Sequence, residues 1–250
     1  MFDISPDGKE LVFTFDSNPD PRDFSYSDIG AMDVTTRKWR TLTVRTKAQA
    51  GMAWECPRYA PNGQWIALLG TDYGKQHNEQ TRAWLLERKS AKLRDWTASW
   101  DRGVQGPLWW TKDSAAVVFT AEDGVAQPIW RLGMADAAPT EVCRGPGMGG
   151  TTTDVRLSAD GTTLVVARSS QQYPPTLLSC RVDGTGERSI ERFNKRLLSG
   201  LQMGAAESVT VKGFGGDAVQ MWVVSPPGYS KATKKKWPLM QVIHGGPHTC

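Results

Sequence analysis

Histidine, cysteine and long apolar runs are all scarce in this chain. Three histidines occur, His77, His244 and His248, and four cysteines, Cys56, Cys143, Cys180 and Cys250. No two cysteines form a CxxC pair, and their spacings of 87, 37 and 70 residues fit no zinc-site pattern. Reduced, structural cysteines are the expectation rather than a disulfide framework. No run of about 18 apolar residues exists, so no helix is expected to span a membrane. Met1 opens directly onto strand-type residues, without the basic and apolar regions of a secretory leader, so the sequence chooses neither a periplasmic nor a cytoplasmic location. No segment before residue 200 carries a clear 3.6-residue apolar period, which argues against a helical bundle.

What is present fits a globular protein. Charged residues make up 22% of the chain and hydrophobic residues 39%. Eleven tryptophans are many for 250 residues. Among short apolar runs they are expected to line sheet packing. The net charge of +4 is no nucleic-acid footprint, because much of the excess sits in Lys231, Lys234, Lys235 and Lys236. That cluster reads as a solvated loop before the last apolar run.

A short phrase recurs four times. It reads Ile4-Ser5-Pro6-Asp7-Gly8, Tyr59-Ala60-Pro61-Asn62-Gly63, Trp110-Thr111-Lys112-Asp113-Ser114 and Leu157-Ser158-Ala159-Asp160-Gly161. The intervals from Asp7 to Asn62, Asp113 and Asp160 are 55, 51 and 47 residues. Proline pre-sets φ for a turn, Asp or Asn bonds back to its own backbone, and glycine supplies positive φ. A β-branched or aromatic run follows each phrase: Leu11–Phe15, Trp65–Leu69, Ala116–Thr120 and Leu164–Ala167. A second hairpin follows each run. Each unit therefore offers about four short antiparallel strands in about 50 residues, the period of a β-propeller blade. A sandwich with Asp-Gly turns at chance intervals would not repeat the flanks as well. Met1 leaves little room for an innermost strand before the first phrase, so an arc of a larger ring is expected.

The pattern changes near Met203. Ser208–Val211 and Ala218–Val224 flank the glycine-rich turn Lys212-Gly213-Phe214-Gly215-Gly216-Asp217, a hairpin signal. Ser225-Pro226-Pro227-Gly228-Tyr229, the basic loop and Trp237-Pro238 follow. A strand is expected over Leu239–Ile243, running into His244-Gly245-Gly246-Pro247-His248. In α/β-hydrolases a turn of this kind after the third strand supplies one backbone N–H of the oxyanion hole.

Blades with SPDG-type turns, a glycine-rich hairpin, the SPPGY loop and PLMQVIHGGPH occur here in one order. In that order they resemble the prolyl oligopeptidase family of serine peptidases, above all its acylaminoacyl-peptidase and dipeptidyl-peptidase-5-like branch. The resemblance implies a mainly β chain: a partial propeller of about four blades over residues 1–203, then the opening strands of an α/β-hydrolase domain over 204–250. It implies a chain truncated at both ends relative to the family. It also implies a serine exopeptidase or oligopeptidase that acts on short peptides through an acyl-enzyme, with the propeller gating access. The oxyanion donor falls on the N–H of Gly246, with Gly245 and His244 shaping the loop. No G-x-S-x-G pentapeptide occurs in the 250 residues, so the chain by itself is expected to be inactive. His244 and His248 read as loop residues and His77 as part of an exposed loop; none is the expected base. No cofactor, metal, nucleic acid or membrane insertion is expected, and a homo-oligomeric full-length protein is compatible with the reading. The alternative is a non-catalytic propeller that binds proteins, which has no need of the HGGP run.

Other candidates carry less. The loop carboxylates Glu55, Asp72, Asp101, Glu122 and Asp123 could meet a peptide amino terminus, but such residues commonly serve turns. Trp100-Asp101-Arg102 reads either as a structural ion pair or as a substrate-facing loop. The run Gly145 to Gly150 precedes a strand, not the helix that a phosphate cradle needs. Phe193–Leu201 reads equally as a short helix or an extended connector.

Overall fold

The computed structural model describes residues 1–18, 26–74, 79–145, 150–232 and 235–243. Four four-stranded antiparallel sheets follow one another along the chain, each a meander in sequence order. The first holds β1 (Phe2–Ile4), β2 (Glu10–Asp16), β3 (Ser27–Asp33) and β4 (Trp39–Thr41). The second holds β5 (Met52–Tyr59), β6 (Trp65–Asp72), β7 (Arg82–Glu87) and β8 (Leu93–Asp95). The third holds β9 (Gln105–Trp110), β10 (Ala116–Thr120), β11 (Ile129–Gly133) and β12 (Thr140–Cys143). The fourth holds β13 (Thr151–Leu157), β14 (Thr163–Ser170), β15 (Tyr173–Arg181) and β16 (Arg188–Ser189). These are the blades expected from the repeat. An innermost strand fits before the first phrase after all: three residues of β1 pair with β2, Phe2 opposite Phe13.

Three of the turn phrases hold the first hairpin of their blade by one bonding scheme, and the second, with Ala60 in place of the hydroxyl residue, keeps only the bond from the Gln64 N–H to Asn62 at 2.9 Å. In the first, Asp7 accepts from the Ser5 hydroxyl at 2.6 Å and from the Lys9 N–H at 3.1 Å, while the Glu10 N–H donates to Ser5 Oγ at 2.9 Å. Asp113 repeats this with Thr111 and the Ala115 N–H, and Asp160 with Ser158 and the Thr162 N–H. Hydrogen bonds from the neighbouring hydroxyl hold all three carboxyls below the ordinary aspartate range. The fourth residue has positive φ in every phrase: 69° at Gly8, 68° at Gly63, 73° at Gly161 and 60° at Ser114.

Packing explains the strand composition. Every residue of β10 is buried, because its sheet is covered on both faces by the second and fourth blades. In β14 buried residues alternate with half-buried ones, the signature of one covered face. Three apolar seams join the blades. Ile29, Leu42, Trp54 and Ile66 lie in the first, Leu85, Leu108, Phe119 and Trp130 in the second, and Val118, Val155, Leu164 and Cys180 in the third. Tryptophans do line these seams. Trp54 meets Trp84 edge-on at 4.7 Å, and Gly70 lies so close that a Cβ there would sit 2.6 Å from the Trp54 ring.

After the blades come a short helix, α1 (Lys195–Leu198), and a lone hairpin of β17 (Ala206–Lys212) and β18 (Ala218–Val224). The helix falls inside the segment that the sequence left open. All of β18 is exposed. The strand expected over Leu239–Ile243 is absent: these residues join no sheet, and Leu239 is 93% exposed. These residues pair with neither the β17–β18 hairpin nor any described blade, so the run has no ladder to satisfy its backbone.

Candidate functional site

The first strands of successive blades are neighbours, β1 against β5, β5 against β9 and β9 against β13, and β5, β9 and β13 each bring residues to a common axial cleft. Irregularities in register recur there. β5 shifts between Glu55 and Arg58, β13 between Thr153 and Arg156, and β9 between Gln105 and Trp109 where it pairs with β10. Such bulges re-aim side chains at the rims and axes of curved sheets. Cys56 and Asp154, inside two of them, have φ of 54° and 51°.

Immediately before the second, third and fourth phrases stand Arg58, Trp109 and Arg156, one from each of those blades. They line a cleft of about 400 Å³ together with Gln105, Gln127 and Asp154. The guanidinium carbons of Arg58 and Arg156 lie 5.6 and 5.7 Å from the centre of the Trp109 ring, within cation–π range. Arg58 donates to the Phe2 carbonyl at 3.0 Å and lies 3.7 Å from Met1 Sδ; Arg156 donates to the Val155 carbonyl at 2.9 Å. The Arg58 Nε–H and Trp109 Nε1–H are buried and have no acceptor among the described residues. Gln127 donates to Thr120 Oγ1 at 3.1 Å and also to Gln105, which donates to Glu122 at 3.1 Å. Nothing in composition or periodicity marked this set; the recurring position before the turn phrase was the available signal.

The sequence candidates fall elsewhere. Trp100-Asp101-Arg102 resolves as a structural ion pair: Arg102 bonds Asp123 at 2.7 Å and Asp101 at 2.6 Å, and covers the Trp100 and Trp130 rings. Asp123 is also bonded by Arg144, and hydrogen bonds from the two arginines hold its carboxyl below the ordinary range. Glu122 accepts from Gln105, Asp72 from the Gly74 N–H, and Glu55 is exposed. These carboxylates are not gathered into one site. Among the described residues no cluster of His, Cys, Asp and Glu could hold a metal ion. His244, Gly245 and Gly246 lie outside the described residues, as do His77, His248 and the interior of the Gly145–Gly150 run.

One polar cluster lies in the seam between the third and fourth blades. Arg168 is fully buried and bonds Thr152 Oγ1 at 3.1 Å, the Cys143 sulfur at 3.3 Å and Glu187. The Cys143 thiol is drawn down to about 7, first by its hydrogen bond with Cys180 and then by Arg168, against burial and Glu187. Cys180 is pushed up by the same contact and by burial. Cys56, Cys143 and Cys180 are all free thiols.

No family model matches the chain. Over 245 residues, 93% of the chain, it is 24% identical to "Dipeptidyl-peptidase 5" of Schizosaccharomyces pombe. The chain resembles the prolyl oligopeptidase family of peptidases. It spans about one third, 34%, of the length of that relative. The fold agrees: the acylaminoacyl peptidase of Pyrococcus horikoshii superposes with a TM-score of 0.67 at 16% identity, covering 88% of this chain and 31% of that one. TolB from Acinetobacter baumannii superposes with a TM-score of 0.53 at 16% identity, covering 76% of this chain and 42% of that one. Among the described residues the chain is thus a partial β-propeller of four blades with a hairpin after it.

Proposed function

We propose that this chain is the propeller part and the beginning of the catalytic part of a serine peptidase that hydrolyses short peptides through an acyl-enzyme. The observation that carries the reading is an order: four blades, a glycine-rich hairpin, then His-Gly-Gly-Pro, in a chain similar to a dipeptidyl peptidase along 93% of its length. The blades, residues 1–203, form the lid that restricts entry to short peptides. Residues 204–250 open the hydrolase domain. The exposure of β18 supports this, since an apolar strand open on both faces asks for further strands or helices to cover it.

In this reading Gly246 donates its N–H to the oxyanion formed when serine attacks the peptide carbonyl, and Gly245 and His244 set the loop. The serine belongs to a G-x-S-x-G elbow, which these 250 residues lack, so the chain alone turns over no substrate. The direct experiment compares the 250-residue chain with a form extended by the roughly 200 residues expected to complete an α/β domain. The extended form cleaves a chromogenic dipeptide or acyl-amino-acid ester, and the shorter one does not.

The second reading, a protein-binding scaffold without catalysis, rests on the blades alone, a fold that this chain shares with TolB over 76% of its length. Absence of any G-x-S-x-G in the extended coding sequence would select it.

A further inference from the structure

The axial cleft is rich in donors that have nothing to donate to. Arg58 Nε and Trp109 Nε1 are buried without an acceptor among the described residues, and Arg156 spends one bond on its own neighbour's carbonyl. Arginine and tryptophan side chains carry no acceptor, so they cannot satisfy one another. Buried donors of this kind are few in native proteins, and each calls for a partner. The two guanidiniums also lie near one indole ring, and neither forms an ion pair with a carboxylate among the described residues. Asp154 brings one negative charge to the same cleft, which leaves an excess of one positive charge among these three groups. An acceptor-only group of negative charge is what this lining lacks.

We propose that the cleft between β5, β9 and β13 binds the free carboxylate of a peptide, with Arg156 as its principal ion-pair partner and Arg58 and Trp109 as flanking donors. A carboxylate accepts two parallel N–H bonds from one guanidinium, a match that a neutral amide lacks. The cleft volume of about 400 Å³ admits a few residues of chain behind the carboxylate. Gln105 and Gln127, already bonded to each other, present amides to the backbone of those residues. Arg156 is exposed and makes one polar contact, so its replacement leaves the seams intact. The choice of a peptide as the bearer of the carboxylate rests on the peptidase reading; the donor geometry does not.

The test is fluorescence anisotropy of amino-terminally labelled tetra-alanine, as the free acid and as the carboxyl-terminal amide, titrated with the whole 250-residue chain. A charge-assisted pair predicts that the acid binds about tenfold tighter or more. R156Q abolishes the difference and R156K retains part of it, while near-ultraviolet circular dichroism stays unchanged in both. Equal binding of acid and amide, binding of neither, or a preference that survives R156Q overturns the carboxylate site. None of these outcomes touches the peptidase reading, which depends on turnover by the extended form.

Discussion

Tyr59 donates its hydroxyl to Glu10 Oε1 at 2.6 Å across the seam between the first and second blades. Glu10 is buried, and Arg40 at 2.9 Å and Arg88 at 3.1 Å complete its shell. Arg88 also lies over the Tyr59 ring, 5.4 Å from its centre. Burial pushes the Glu10 carboxyl up, but the hydrogen bonds from Tyr59 and Arg40 outweigh it and hold the group below the ordinary glutamate range. Burial, and then the same bond, push the Tyr59 phenol up. The first two blades are thus joined by one satisfied carboxylate as well as by apolar contact.

Tyr59→Phe removes one donor to a buried charge and is expected to cost about 1–3 kcal/mol. Urea denaturation followed by tryptophan fluorescence measures it. An unchanged midpoint would mean that the seam does not depend on this bond.

The pH dependence follows from the sign of the shift. A carboxylate lowered in the folded state contributes stability that is complete above its unfolded value and lost as pH falls through its folded value. Glu10 is such a group, so stability declines from about pH 4.5 downward. Glu10→Gln should flatten that decline. Urea midpoints between pH 3 and 6 for both proteins decide it, and parallel curves would contradict the assignment.

Ser114 takes a left-handed backbone, φ 60°, where the other three phrases place glycine. Its hydroxyl accepts the Asn62 N–H at 3.0 Å, which ties the third turn to the second. Ser114→Gly relieves strain while losing that bond and should be close to neutral. Ser114→Ala keeps the strain and loses the bond, and should lie about 1 kcal/mol below the glycine variant. Equal melting of the two would show that the strain is not real.

For the thiols, absorbance at 240 nm against pH should show a thiolate step near 7, absent in Cys143→Ser. A first step above 8.5 in the parent protein would mean that neither Cys180 nor Arg168 stabilises the thiolate.

The blades were readable because their determinants are local. An Asp or Asn followed by Gly or Ser encodes its own turn, and the apolar run after it encodes a buried strand, so Ala116–Thr120 was recovered to the residue. The axial cleft was not readable, because it depends on where three inner strands shift register and on which residues then face one axis. Trp100-Asp101-Arg102 stayed open until Asp123, 21 residues from Arg102, proved to be the partner. Leu239–Ile243 shows the opposite failure: an apolar pattern makes a strand only where it pairs with a neighbour, and these residues pair with no described strand.

The central proposal, that this chain carries the blades and the oxyanion loop of a serine peptidase whose nucleophile lies outside these 250 residues, is tested most directly by fluorophosphonate labelling. The 250-residue chain and its extended form are treated alike, and the modified residue is mapped by mass spectrometry. The prediction is no label on the shorter chain and one label on the extended form, at the serine of a G-x-S-x-G elbow. A labelled serine within residues 1–250, or an extended form that takes no label, would contradict it.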